Sequence, residues 1–160
     1  MEKEKKIEII KSTVIDYIQD LNINNGNIKA FESLGGSSIT HMTSRELENL
    51  YAKAFLEIGV KRGDIVTICT AGTLDTYLYF AGLNKIGAVA QFVNPNYFKV
   101  NSKKYINNTN CKLLICLDKF YPAIKEEIGQ TNVEQVMISS ISEYATTIGI
   151  LRILSAVLLL

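Results

Sequence analysis

Little in this sequence is typical of nucleic-acid-binding or metal-binding proteins. Its 17 Lys and Arg residues nearly balance its 16 Asp and Glu residues, whereas nucleic-acid binders usually carry a clear basic excess. The chain has one histidine, His41, and its distance in sequence from the three cysteines matches no metal-ligand spacing. We therefore expect no nucleic-acid partner and no metal site, and we expect His41 to be an ordinary residue at the end of a strand.

A secretion signal is also missing from the first six residues. They read MEKEKK, with charges of both signs where a signal peptide needs an uninterrupted apolar core. We expect a cytoplasmic location. In that compartment Cys69, Cys111 and Cys116 are expected to be reduced, partly buried thiols rather than disulfides.

Catalytic motifs are absent as well. The sequence contains neither a Gly-x-Ser-x-Gly elbow nor a His-Glu-x-x-His motif. Two pairs of acidic residues, Glu46 with Glu48 and Glu126 with Glu127, lie on predicted helices with lysines nearby. We expect them to be solvated rather than to converge for acid–base chemistry. The sequence therefore predicts no catalytic, cofactor-binding or metal-binding residue.

The turn Thr70-Ala-Gly-Thr73 lies between a predicted strand and a predicted helix, where phosphate-binding loops occur. A mononucleotide loop needs more glycines than this turn has, and usually a lysine at the helix start. Asp75 instead places a negative charge in the first helical turn, which suits the helix dipole and repels phosphate. We interpret this segment as a structural turn.

What the sequence does contain is enough apolar material for one domain, with 48% hydrophobic residues in 160. We divide it into an N-terminal amphipathic helix and turn (1–27), an α/β segment (28–144) and an apolar tail (145–160). The first helix is predicted over residues 4–21. It carries apolar residues at helical spacing, and these are Ile7, Ile10, Val14, Ile18 and Leu21.

A hairpin is predicted next, with strands Ile28–Glu32 and Ser38–Thr40 joined through Gly35 and Gly36. Thr43-Ser-Arg-Glu46 has the form of a capping box, so a helix is predicted to begin there and to end at Gly59 in the left-handed conformation.

An alternation of strands and helices occupies the remainder of the α/β segment. Four apolar strands separated by helices predict an open, doubly wound and mainly parallel sheet with flanking helices. The predicted strands are Ile65–Thr70, Ala88–Val93, Leu113–Leu117 and Val136–Ser139, and the predicted helices are Leu74–Ile86, Ser102–Asn108 and Tyr121–Ile128.

The apolar tail Ile148–Leu160 reads IGILRILSAVLLL. It is shorter than the roughly 20 residues that a spanning helix needs. We expect a helix that packs on another surface, and a weak membrane-surface anchor is the alternative.

Several short motifs, in order, resemble the N-terminal part of the AMP-forming acyl-CoA synthetases, within the adenylate-forming ligases. The resemblance covers roughly residues 28–140. Its motifs are Ile39-Thr40, Ser44-Arg45-Glu46-Leu47, Gly59-Val60-x-x-Gly63-Asp64-x-Val66, Lys85-x-Gly87-Ala88-Val89, Asn94-Pro95 and Cys111-Lys112-Leu113-Leu114-Ile115.

This resemblance implies a Rossmann-like N-terminal layer of an enzyme that uses ATP, Mg²⁺ and coenzyme A to activate a carboxylic acid. The family's phosphate loop and its later catalytic motifs have no counterpart in residues 1–160. The leading hypothesis is therefore an N-terminal fragment that is inactive alone and whose partner is the rest of the synthetase. Such a fragment could be a natural product or the product of a truncated or frame-shifted gene. The alternatives are a stand-alone α/β binding module and a membrane-associated regulator held by Ile148–Leu160.

Overall fold

The computed structural model describes residues 12–32 and 38–140 and the backbone of residues 157–159. The helices and strands follow one another in chain order. They are α1 Val14–Leu21, β1 Lys29–Glu32, β2 Ser38–Thr40, α2 His41–Glu57, β3 Ile65–Cys69, α3 Leu74–Ile86, β4 Val89–Phe92, α4 Pro95–Thr109, β5 Leu113–Leu117, α5 Tyr121–Ile128, β6 Gln135–Ser139 and β7 Val157–Leu159.

A five-stranded sheet with the order β4-β3-β5-β6-β7 forms the centre of the structure. The first four strands are parallel, and β7 pairs antiparallel with β6. Every residue of β5 is buried, as expected of a strand covered on both faces. The predicted fold class, a mainly parallel sheet with flanking helices, is confirmed.

The sheet separates two apolar cores, because successive side chains of a strand point to opposite faces. Val66 and Ile68 of β3 pack on one face with residues of α2 and α3. Cys69 of β3 and Leu114 of β5 pack on the other face with residues of α4 and α5. Each core therefore depends on the pairing of β3 with β5.

Helices α2 and α3 approach closely at Gly82. A Cβ atom at Gly82 would lie 2.9 Å from the backbone nitrogen of Ala52 and 2.9 Å from the Cβ of Tyr51. Both neighbours are buried parts of α2, so neither can move aside cheaply. Glycine at this position lets the two helices pack against each other.

The start of α2 differs from the prediction. Thr40, not Thr43, is the N-cap, and its hydroxyl oxygen accepts from the Thr43 amide at 3.2 Å. The helix therefore begins at His41, three residues earlier than the capping-box pattern indicates. The predicted left-handed end at Gly59 is confirmed, since its φ is +87°, and Gly87 after α3 is also left-handed, with φ of +74°.

The start of α4 is also earlier than predicted. The helix begins at Pro95, because the Asn94 side chain accepts from the Asn96 amide at 2.9 Å and Pro95 occupies the first turn. A kink at Asn101, with φ of −139°, divides this helix, and the predicted helix over 102–108 is its second part.

Helix α1 turns a different side inward from the one predicted. Ile15 is its buried residue, and the Ile15 amide donates to the Asn84 side chain at 3.2 Å. Val14 and Leu21 of the predicted inward stripe are 55% and 62% exposed. Ile7 and Ile10 lie outside the described residues, as do Gly35 and Gly36 of the hairpin, whose two strands pair antiparallel as predicted.

Part of the apolar tail is a strand rather than the predicted helix. The backbone of Val157–Leu159 pairs with β6, with Leu158 opposite Val136. Residues 148–156 and Leu160 lie outside the described residues. No helix within the described ranges combines the length and apolarity needed to cross a membrane.

We predict that Gly82→Ala lowers the free energy of unfolding by about 1–3 kcal/mol, because overpacking at the α2–α3 contact outweighs the gain in helix propensity of about 1 kcal/mol. Urea unfolding measures the change. Gly72→Ala is the matched control, since a Cβ at Gly72 meets nothing within 4 Å. Equal midpoints for the two variants would contradict the close approach.

Candidate functional site

The carboxyl edge of the sheet is the expected position of a binding site. Ligands of open α/β sheets bind beyond the carboxyl ends of the strands, where the strand order reverses. Here the order reverses between β3 and β5, since β4 lies on one side of β3 and β5 on the other. The turn of residues 70–73 follows β3 at this point.

Threonine hydroxyls in this turn bind one another. The hydroxyl oxygens of Thr70 and Thr76 are 2.8 Å apart, and those of Thr73 and Thr76 are 3.1 Å apart. Thr73 is the N-cap of α3, and its oxygen accepts from the Thr76 amide at 3.4 Å. The Thr76 hydroxyl also donates to the carbonyl oxygen of Ala71. These bonds close the turn and begin the helix.

Two features of this turn disfavour the binding of a triphosphate. Gly72 is its one glycine, and close approach of phosphate oxygens to backbone amides needs more. Asp75 lies in the first turn of α3, and its Oδ1 accepts from the Tyr51 hydroxyl at 2.9 Å. A carboxylate at this helix start repels an anion. The geometry supports the interpretation of residues 70–73 as a structural turn.

Two thiols lie in register just inside the same edge. Cys69 of β3 pairs with Cys116 of β5, and both side chains are fully buried and free. Burial raises the pKa of both thiols from the ordinary value of 9.0 to about 12. Burial also raises the pKa of Cys111, whose Sγ donates to the Leu113 carbonyl at 3.1 Å. All three cysteines are therefore protonated at neutral pH and are poor nucleophiles.

A buried polar cluster surrounds Glu48 of α2. Glu48 is 2% exposed, and its Oε1 accepts from the Ser44 hydroxyl at 2.9 Å and from the Tyr77 hydroxyl at 2.8 Å. The Gln19 side chain of α1 donates to Oε2. Burial raises the pKa of Tyr77, and the hydrogen bond to Glu48 and its negative charge raise it further. This cluster joins α1, α2 and α3.

A cavity of about 210 Å³ opens beside this cluster. Arg45 lines it and donates to the Gln19 carbonyl at 3.2 Å, while its buried Nε has no hydrogen-bond partner among the described residues. The Phe31 ring lies 4.2 Å from the Tyr77 ring at another wall. His41 also lines the cavity as the first residue of α2, so its predicted place at a strand end is wrong.

The prediction that Glu48 is solvated is also wrong, whereas Glu46, Glu126 and Glu127 are exposed as predicted. The sequence carries a signal for this burial. Glu48 lies three and seven residues before Tyr51 and Phe55, on the same stripe of α2 that enters the core. Within residues 12–32 and 38–140, no group of three or more potential ligands could hold a metal ion.

Comparison with curated proteins finds coenzyme A ligases. The chain is 29% identical to crotonobetaine/carnitine–CoA ligase of Salmonella typhimurium over 104 residues, which is 64% of this chain and 20% of that ligase. It is 24% identical to 4-coumarate–CoA ligase 3 of Arabidopsis thaliana over 90 residues, which is 56% of this chain and 16% of that ligase. The chain thus spans about a fifth of the length of these relatives.

Solved structures share the fold. A long-chain-fatty-acid–CoA ligase from Archaeoglobus fulgidus superposes with a TM-score of 0.78 at 18% identity, covering 94% of this chain and 31% of that one. The anthranilate–CoA ligase AuaEII, in complex with anthranoyl-AMP, gives a TM-score of 0.77 at 18% identity, covering 91% and 29%. The fold is therefore that of the N-terminal α/β layer of adenylate-forming ligases. Residues 24–150 match the family described as AMP-binding enzyme, and the chain belongs to that family.

We predict that Glu48→Ala lowers the free energy of unfolding by about 2–4 kcal/mol, because it leaves the buried hydroxyls of Ser44 and Tyr77 without their acceptor. Glu46→Ala, at an exposed position on the same helix, should change it by no more than about 0.5 kcal/mol. Chemical denaturation measures both. Equal effects of the two substitutions would show that the cluster does not stabilise the fold.

A second prediction concerns alkaline pH. Because the folded-state pKa of Cys69 and Cys116 is raised to about 12 from 9.0, the stability that these thiols contribute is complete below pH 9 and is lost as pH rises toward 12. In that pH range, each thiol lowers the free energy of unfolding by up to about 1.4 kcal/mol per pH unit.

The measurement compares the wild type with Cys69→Ala/Cys116→Ala by urea unfolding at roughly pH 8 to pH 10.5. Stability of the double variant should fall less steeply with pH, even though its stability at pH 8 is lower. Identical slopes would mean that these thiols ionise normally in the folded protein.

Proposed function

We propose that this chain supplies the first α/β layer of an AMP-forming acid–thiol ligase and catalyses neither of its two half-reactions alone. The match to the AMP-binding enzyme family over residues 24–150, on a chain that spans only 16–20% of the related ligases, carries this proposal. The sheet and its two cores act as scaffold in this assignment. The rest of the ligase is the proposed partner.

In the proposed complete enzyme, the acid's carboxylate attacks the α-phosphorus of ATP, forming an acyl-adenylate and releasing pyrophosphate. A thiol then attacks the acyl carbon, forms the thioester and releases AMP. The names of the relatives pair a carboxylic acid with coenzyme A, such as 4-coumarate, anthranilate or a long-chain fatty acid. We assign a carboxylic acid and coenzyme A as substrates of that complete enzyme, with Mg²⁺ accompanying ATP.

The residues of this chain suit a scaffold better than a nucleotide site. Where the strand order reverses, the hydroxyls of Thr70, Thr73 and Thr76 bind one another and cap α3. Asp75 places negative charge where phosphate would bind. The buried thiols of Cys69 and Cys116, just inside the carboxyl edge of the sheet, are protonated. Attraction of the triphosphate and activation of the acid are therefore assigned to residues outside this chain.

The test is acid-dependent exchange between ATP and labelled pyrophosphate with the purified chain. We expect no exchange above background with 4-coumarate, crotonobetaine, anthranilate or a long-chain fatty acid, because the groups that would hold the triphosphate are not supplied here. The complete crotonobetaine/carnitine–CoA ligase of Salmonella typhimurium is the assay control. Exchange that scales with the amount of this chain and requires an acid would overturn the proposal.

A further inference from the structure

The turn that joins α1 to β1 is rich in asparagine. It contains Asn22, Asn24, Asn25 and Asn27, and Asn25 is followed by Gly26. The side-chain amide of an asparagine can be attacked by the main-chain nitrogen of the next residue, and a glycine there obstructs the approach least because it has no Cβ. The state of that nitrogen therefore helps to determine which asparagine reacts.

Hydrogen bonding separates Asn25 from the other asparagines of this turn. The amides that follow the other asparagines all donate to main-chain carbonyls. They are the amides of Ile23, Asn25 and Ile28, which bind the carbonyls of Asp20, Asn22 and Asn25 at 3.3, 3.0 and 2.9 Å. The Gly26 amide has no acceptor among the residues that the structure describes. A bonded amide must give up its hydrogen bond before it can attack, whereas the Gly26 amide need not.

The surroundings of Asn25 leave room for this reaction. Asn25 and Gly26 are half-buried, and Asn24 and Asn27 beside them are exposed, so water reaches the turn. The Asn25 side chain forms one long hydrogen bond, from its Nδ2 to the Asn22 Oδ1 at 3.3 Å. The side-chain amide is therefore held weakly and is free to rotate toward the Gly26 nitrogen.

We propose that Asn25 is a modification site of this chain, which deamidates through attack of the Gly26 nitrogen on the Asn25 Cγ. The N–Cγ bond forms, the Cγ–Nδ2 bond breaks, and ammonia leaves with the proton of the Gly26 amide. Water then opens the cyclic imide at either of its carbonyls. One opening gives aspartate, and the other gives isoaspartate, whose Cβ lies in the main chain. The reaction consumes water and releases ammonia, and it does not depend on the function proposed above.

Isoaspartate at this position alters the contact between the turn and α2. The Met42 amide donates to the Gly26 carbonyl at 2.9 Å, and the His41 amide donates to the Ile28 carbonyl at 3.0 Å. An extra main-chain atom after residue 25 displaces both carbonyls, so both bonds weaken. The new carboxylate also lies shortly after the C-terminal end of α1, where negative charge opposes the helix dipole.

The first experiment incubates the folded chain at mildly alkaline pH and follows each asparagine by peptide mass spectrometry. Asn25 should deamidate at least about tenfold faster than Asn24 or Asn27, which corresponds to a barrier lower by about 1.4 kcal/mol. Labelling with an isoaspartyl methyltransferase and its methyl donor measures the isoaspartate in the product. A synthetic peptide of residues 20–30 gives the reactivity of the same sequence without the fold.

Gly26→Ala is the matched variant. A Cβ at Gly26 would lie 3.7 Å from the Met42 Cβ, an ordinary contact, so the turn accommodates alanine. The added methyl group should slow deamidation of Asn25 at least about tenfold, because it obstructs the attacking nitrogen. Far-UV circular dichroism confirms that the variant folds, and the comparison among asparagines in the wild type tests the proposal without it.

Hydrogen exchange measures the effect on α2. In the isoaspartate form, the His41 and Met42 amides should exchange at least about tenfold faster than in the unmodified chain. Asn25→Asp carries the same charge on an ordinary main chain, so it should change these amides much less.

The opposite results are equally definite. Deamidation of Asn25 in the peptide but not in the folded chain would overturn the proposal, because the fold would then protect the site. Equal rates for the wild type and folded Gly26→Ala, or for Asn25 and Asn24, would exclude the free Gly26 amide as the cause. Unchanged exchange at His41 and Met42 in the isoaspartate form would refute the effect on α2.

Discussion

The parallel pairing of β3 with β5 is the constraint on which the rest of this structure depends. A parallel sheet must be covered on both faces, because its crossover helices lie there. Helices α2 and α3 cover one face and α4 and α5 the other, and each pair packs on alternate side chains of the same two strands. The thiols of Cys69 and Cys116 lie in register between these layers, which explains why they are buried and protonated.

The Glu48 cluster meets a different requirement, which is to attach α1 to this layered unit. A buried carboxylate is costly unless donors surround it, and here two hydroxyls and an amide from three helices do so. Helix α1 contributes Gln19 to the cluster and Ile15 to the apolar contact, while Val14 and Leu21 remain exposed. Polar bonds rather than a broad apolar face therefore hold α1 in place.

Sequence reasoning succeeded where one pattern determined one structure. Apolar runs such as Leu113–Leu117 identified the parallel strands, and Gly59 marked the end of α2. It was wrong where contacts between residues distant in sequence determine which side chains are buried. Helix α1 has apolar residues on more than one side, and the stripe alone does not show that Ile15 packs inward. Glu48 was predicted to be solvated because it is charged, although it lies on the stripe of α2 that enters the core. No local sequence pattern distinguishes β4, at a sheet edge, from a central strand.

Together these features describe an α/β layer whose turn after β3 is closed by hydrogen bonds among its own threonines and whose sequence matches the AMP-binding enzymes. The central claim is that nucleotide binding requires residues outside this chain. Isothermal titration calorimetry with a non-hydrolysable acyl-adenylate analogue tests it directly. The account predicts no saturable heat from the purified, folded chain. One-to-one binding, abolished by substitutions in residues 70–76, would contradict it.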